Sequence, residues 1–141
     1  MKVINLLIIT AIAIIIASCS GGDPVVVVDP TPPTVETTLK DNAGTTIGFT
    51  FTGGLVRDMN YERVGFVYTD GDVFDLNTVK LGSIVKAEGT AYNVLDSDHN
   101  LLGTVDTATG EVRDLARQVV GYGSGNPLWK AGVILLLFPR Q

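Results

Sequence analysis

The chain has one cysteine, one histidine and one tryptophan in 141 residues. The lone Cys19 excludes an intrachain disulfide. A folded domain here must hold itself by burial and strand pairing, without the cross-links on which small secreted domains rely. It also excludes a cysteine-based metal centre or nucleophile after lipidation or cleavage, and the lone His99 excludes a multi-histidine centre. A Ser-His-Asp triad would have to use His99, and no Gly-x-Ser-x-Gly elbow is present. Nothing singles out a carboxylate pair for glycoside hydrolysis. Basic residues are the minority, ten Lys and Arg against fifteen Asp and Glu. That balance lacks the basic footprint of a nucleic-acid binder and disfavours adhesion to anionic headgroups. No apolar run reaches the roughly 20 residues of a membrane-spanning helix. Between Thr38 and Tyr122 no 3.6-residue hydrophobic period is present, so no amphipathic helix is expected there.

What is present begins with a targeting segment. Lys2 supplies a positive start, and Leu6 to Ile16 is apolar except for Thr10. Small residues follow, Ala17 and Ser18, in the pattern of a secretory signal. The run Ile16-Ala17-Ser18-Cys19 resembles a bacterial lipobox. That resemblance implies cleavage before Cys19, a diacylglycerol on the Cys19 sulfur through a thioether, and often an acyl chain on the new amine. Two or more acyl chains hold a protein stably on a bilayer, each buried CH₂ contributing about 0.8 kcal/mol. An ordinary signal peptide is the alternative. Cleavage there removes Lys2 and leaves nine basic against fifteen acidic residues. Ser20, in place of Asp, favours an outer-membrane address by analogy with lipoprotein sorting.

Four of the six prolines, Pro24, Pro30, Pro32 and Pro33, crowd the next segment, Ser20 to about Glu36. Such a composition opposes regular structure and gives a semi-rigid spacer. Val25 to Val28 could instead dock as an edge strand. The boundaries expected are a signal over residues 1–18, a lipidated Cys19 and tether over 19–37, and a folded domain over 38–141.

The folded domain writes one pattern five times. An Asp is followed seven residues later by the Gly of an aliphatic-Gly pair: Asp41 to Gly48, Asp58 to Gly65, Asp75 to Gly82, Asp96 to Gly103, Asp114 to Gly121. Successive Asp residues lie 17, 17, 21 and 18 positions apart. A period this short fits one β-hairpin per repeat. In Gly54 to Asp70, Leu55–Asp58 reads as a strand, 59–62 as a turn and Arg63–Tyr68 as the returning strand. Gly53-Gly54, Asp70-Gly71, Glu88-Gly89 and Thr109-Gly110 mark the junctions, where a positive φ is cheap. Each repeated Asp is expected to accept a backbone N–H about two residues on and so fix its turn. A ring of five carboxylates binding cations is the functional alternative. Each strand glycine marks a bulge or a close backbone approach.

Asp96-Ser97-Asp98-His99-Asn100 superficially resembles a calcium loop. Leu101 and Thr107 stand where an EF-hand loop needs Gly and Glu, so a polar hairpin tip is expected. Tyr61, Phe66, Tyr68, Phe74, Tyr92 and Trp129 are expected mainly in the core, with a sugar-binding face as the alternative. The tail breaks the period. Asn126-Pro127 reads as a helix N-cap with proline at the first helical position. Ala131 to Phe138 is eight apolar residues, balanced between helix and strand and stopped by Pro139. It is expected to seal the repeat core along the axis.

The five copies of aliphatic-x-Asp…aliphatic-Gly, the closing Ala-Gly-aliphatic run and the lipoprotein signal resemble the five-fold beta-flower family of small bacterial proteins, frequent in Bacteroidota. The likeness covers about Thr38 to Phe138. It implies an all-β fold of five hairpins around a pseudo-five-fold axis; the third-to-fourth interval departs from the pattern, with extra residues around Tyr92–Leu95, so a distorted petal is expected there. It implies no activity and transfers no catalytic residues. The expected protein is a lipid-anchored, non-enzymatic envelope component with a structural or interaction module. Its expected partners are the membrane and an envelope protein or glycan, not nucleic acid, and no cofactor or metal site is expected. A small-ligand or glycan-binding surface lipoprotein is the alternative. A binder should display aromatic side chains on one face, whereas a purely structural module should bury them.

Overall fold

The computed structural model describes residues 32–138. They form ten antiparallel strands closed into a barrel, each pairing with its sequence neighbours and β1 closing on β10. The strands are β1 (Val35–Asp41), β2 (Thr46–Phe51), β3 (Leu55–Asp58), β4 (Arg63–Val67), β5 (Asp72–Phe74), β6 (Lys80–Lys86), β7 (Ala91–Asp96), β8 (Leu101–Asp106), β9 (Glu111–Asp114) and β10 (Val119–Gly125). A 3-10 turn (Leu128–Gly132) and one helix, α1 (Val133–Leu137), follow. The domain is therefore all-β, built of hairpins, with one short C-terminal helix. β1 starts inside the segment expected to be tether. Its reach is fixed by pairing with β2 and β10, which runs back to Val35 opposite Phe51 and Thr37 opposite Gly125.

The repeated motif is a register device. In each hairpin the inward aliphatic residue two positions before the Asp faces the motif glycine: Leu39 with Gly48, Val56 with Gly65, Val73 with Gly82, Val94 with Gly103, Val112 with Gly121. Beside that pair every hairpin carries a register shift. The extra residue is the aliphatic one of the aliphatic-Gly pair, as a bulge sets two residues against one. The bulge lets that side chain lean inward; Ile47, Val64, Leu102 and Val120 pack against the core. Both roles anticipated for the glycines, bulge and close approach, thus occur at one place. The longer interval between Asp75 and Asp96 is absorbed by β6 and β7, which pair over five residues without a shift.

The core lies inside the barrel. Leu39, Val56, Val67, Val73, Val94, Val105 and Val112 are fully buried, with Ala131, Val133 and Ile134 of the tail among them. The tail enters the lumen. A Cβ on Gly121, Gly103, Gly82, Gly65 or Gly48 would meet Ile134, Leu135, Leu136, Leu137 or Phe138 respectively, at 2.7–2.9 Å. Five consecutive tail side chains therefore use five successive hairpins. Glycine opposite valine keeps the wall thin enough to admit them. The even balance between helix and strand is resolved by the surroundings. Inside a closed barrel no strand offers a ladder, so only a helix satisfies its own N–H and C=O groups. Such a helix is walled on all sides, which explains a run that is apolar all round.

The reading of Asn126 as N-cap is corrected. Pro127 occupies that position, with φ −89° and ψ 134°, and makes no side-chain cap bond. The Asn126 N–H instead donates to the Glu36 carbonyl at 2.9 Å, prolonging the pairing of β10 with β1. The turn then opens with 3-10 geometry, Lys130 N–H donating to the Pro127 carbonyl.

Candidate functional site

Cys19, the signal and the tether up to Thr31 lie outside the described residues. No helix among the described residues is long and apolar enough to cross a membrane.

Asp41, Asp58, Asp96 and Asp114 end odd-numbered strands and Asp75 directly follows β5, so their turns share one rim of the barrel. Their carboxylates are occupied by those turns. Asp41 accepts the N–H groups of Ala43 and Thr45, Asp58 those of Asn60 and Glu62, and Asp75 those of Asn77 and Val79. Asp96 accepts those of Asp98 and Asn100, and Asp114 that of Gln118, all at 2.8–2.9 Å. The third residue after each Asp has positive φ. Gly44 fills that place once, but Tyr61, Thr78, His99 and Arg117 stand there at 61–67°. A non-glycine in that region is strained; two bonds to one carboxylate oxygen hold Tyr61, Thr78 and His99, and the Gln118 N–H bond to Asp114 helps hold Arg117. His99 is exposed at this tip. The Asn100 side chain and backbone hold the Asp96 carboxyl below the usual carboxylate range, aided by the Asp98 N–H and the nearby His99. At the other rim the Ala108 N–H, then the Thr90 hydroxyl, lower Asp106 in the same way. The turn role expected for the repeated Asp is thus observed. Among the described residues no group of three or more His, Cys, Asp or Glu is placed to hold a metal ion.

Of the six aromatic residues expected mainly in the core, Tyr92 and Trp129 pack against it half-buried, whereas Tyr61, Phe66, Tyr68 and Phe74 do not, which corrects the expectation for those four. The inward strand positions belong to aliphatic residues, Gly and Thr, because the tail already fills the tube with its own side chains, Phe138 among them. Phe49, Phe66 and Phe74 point outward along β2, β4 and β5. Tyr61 stacks on Phe49 with centroids 5.3 Å apart, and Tyr68 meets Phe74 edge-on at 5.4 Å. Tyr61 is 57% exposed and Tyr68 46%. Arg57 lies over Phe51, 5.6 Å from its centroid. Two ring clusters, Phe49–Phe51–Tyr61 and Phe66–Tyr68–Phe74, thus lie along the outer wall of β2–β5.

A second aromatic feature stands at the rim opposite the Asp turns. Tyr92 of β7 stacks on Trp129 of the 3-10 turn, centroids 6.1 Å apart and planes 18° apart. The Lys130 ammonium lies 5.9 Å from the Trp129 ring centroid. Lys130 is 5% exposed and forms an ion pair with Glu36 of β1. Two open clefts flank the stacked rings and share both. One, about 280 Å³, is lined by Thr69, Asp70 and Lys86 among others. The other, about 560 Å³, is lined by Thr107, Asn126 and Pro127 among others. Reading the sequence missed this pairing, since 37 positions separate the two rings and no local pattern joins them. The Lys130–Glu36 pair was missed for the same reason. No family model, no curated protein and no solved structure matches this chain.

Proposed function

We propose that this chain is a lipid-anchored bacterial envelope protein, held through Cys19 at the outer membrane, whose barrel is a non-enzymatic structural or interaction module. The observation that carries this reading is the filled lumen. α1 and the inward Val and Leu residues occupy the space in which a barrel of this kind would hold a small ligand, so partners meet the wall and rims. The turn carboxylates support it too, since each is engaged in fixing its own hairpin. The repeated register supports five hairpins about a pseudo-five-fold axis, as the resemblance to the beta-flower family implies. The test is Cys19→Ser in the full chain. The natural sequence should incorporate labelled fatty acid and sediment with membranes, and the variant should do neither. A natural chain that stays soluble and unlabelled refutes the anchor.

A second reading is favoured by one observation: aromatic side chains lie on the outside, on the β2–β5 wall and at the Tyr92–Trp129 ridge. That is the arrangement of a glycan-binding surface lipoprotein, the barrel serving as its scaffold.

A further inference from the structure

We propose that the Tyr92–Trp129 ridge and the two clefts beside it bind a neutral glycan, with one sugar ring in each cleft. The inference rests on the glycan reading and assigns it a place.

Three features point to this chemistry. First, the ridge is pre-organised. Trp129 is fixed on one side by Tyr92, and the Lys130 ammonium near its ring is itself held by Glu36. A rigid ring loses little conformational freedom when a ligand settles beside it. Second, the clefts are open and rimmed by small polar groups, with volumes near those of ordinary small-ligand sites, about 300–1,000 Å³. A sugar ring offers C–H groups on its faces and hydroxyls round its edge. Aromatic side walls suit the faces, and Thr69, Asp70, Lys86, Thr107 and Asn126 supply donors and acceptors for the edges. Third, the charges in the smaller cleft balance. Asp70 uses one carboxylate oxygen on the Asp72 N–H and leaves the other free of that bond. Lys86 is exposed and forms no ion pair among the described residues. One anion and one cation together favour a neutral polyhydroxyl ligand over an anionic polymer. Charge-assisted hydrogen bonds from both would then orient it.

A proline-rich peptide is the main competitor, because such segments dock in aromatic-lined grooves. Those grooves present rings side by side with a slot between them. Here the two rings stack on each other, which closes the slot and opens a cleft on either side. The geometry favours a ligand that straddles a ridge.

Trp129 is the only tryptophan in the chain, so its fluorescence reports on the site directly. The full chain, in a zwitterionic detergent free of sugar headgroups, is titrated with cellotetraose, maltotetraose, xylotetraose and chitotetraose, with calorimetry in parallel. At least one sugar should give a saturable change in Trp129 emission. Tyr92→Ala should weaken that binding at least tenfold. Lys86→Ala, an exposed change that leaves the core untouched, should weaken it about threefold or more, and Tyr68→Ala should leave it unchanged. Binding that falls with Tyr68→Ala but not with Tyr92→Ala or Lys86→Ala overturns the site and keeps the glycan reading, moved to the β2–β5 wall. No heat and no emission change with any of the four sugars overturns both. An emission change with a synthetic peptide of residues 29–34, but with no sugar, overturns the site as a glycan site and makes it a peptide groove.

Discussion

Replacing Gly121 by alanine tests how the tail is locked in the barrel. A Cβ there would lie 2.5 Å from the Lys40 carbonyl oxygen and 2.9 Å from Ile134 Cδ1. Both are closer than real Cβ contacts, so the wall or the helix must move. Overpacking of this kind costs typically about 1–3 kcal/mol. Ile134 is 4% exposed, and Ile134→Val alone costs about 0.5–1.5 kcal/mol. Valine, however, lacks Cδ1, the atom that the new methyl strikes. The double variant Gly121→Ala/Ile134→Val should therefore lose less than the two single losses together. The carbonyl contact survives, so the relief is partial, about 0.5–1 kcal/mol, at the low end for side chains in contact. Urea unfolding followed by Trp129 fluorescence and far-UV circular dichroism gives each stability, provided the slope with denaturant stays constant. One kcal/mol also moves Tm by about 4 °C or more in a domain this small. Losses that add within about 0.3–0.5 kcal/mol refute the pairing of Ile134 with the hairpin of Gly121, and with it the one-residue-per-hairpin seating of α1.

Two further outcomes follow from the geometry. Thr50 is fully buried at the place where other hairpins carry Val67, Ile84 and Val105, and its hydroxyl has no hydrogen-bond partner among the described residues. Thr50→Val should raise the urea midpoint, by about 1 kcal/mol in stability; a lowered midpoint would show that the hydroxyl does pair. Asp96 has its carboxyl held below the usual range by Asn100. A depressed carboxylate stabilises the fold above its ordinary value, about pH 4, and loses that effect as pH falls further. The stability gap between the natural chain and Asp96→Asn should be largest at neutral pH and shrink below about pH 4. A gap that is flat or widens on acidification removes this carboxylate from the acid sensitivity of the fold.

The hairpins were legible because their signals are local. An Asp can reach the N–H groups two and four residues ahead, so its turn role is written within five residues, whether the next positions read Asn42-Ala43-Gly44 or Leu115-Ala116-Arg117. A glycine beside an aliphatic residue within a β run also announces its bulge locally. Phe66 and Phe74 were misread because an alternating strand pattern does not say which side is inside. Phe66 and Val67 alternate equally well either way, and a one-residue shift exchanges them. Only closure of the barrel around the tail sent Val67 in and Phe66 out.

By itself the sequence determined the repeat, the turns and the apolar end, since each depends on residues within one hairpin or one run. The tertiary structure decided three things that depend on distant segments. It made 131–138 a 3-10 turn and a helix, because the lumen offers no strand partner. It set each tail side chain against a different hairpin, because the glycines leave room only there. It brought Glu36 to Lys130, because strand closure returns the two ends of the domain to one rim, and Tyr92 to Trp129, because β7 starts at that same rim.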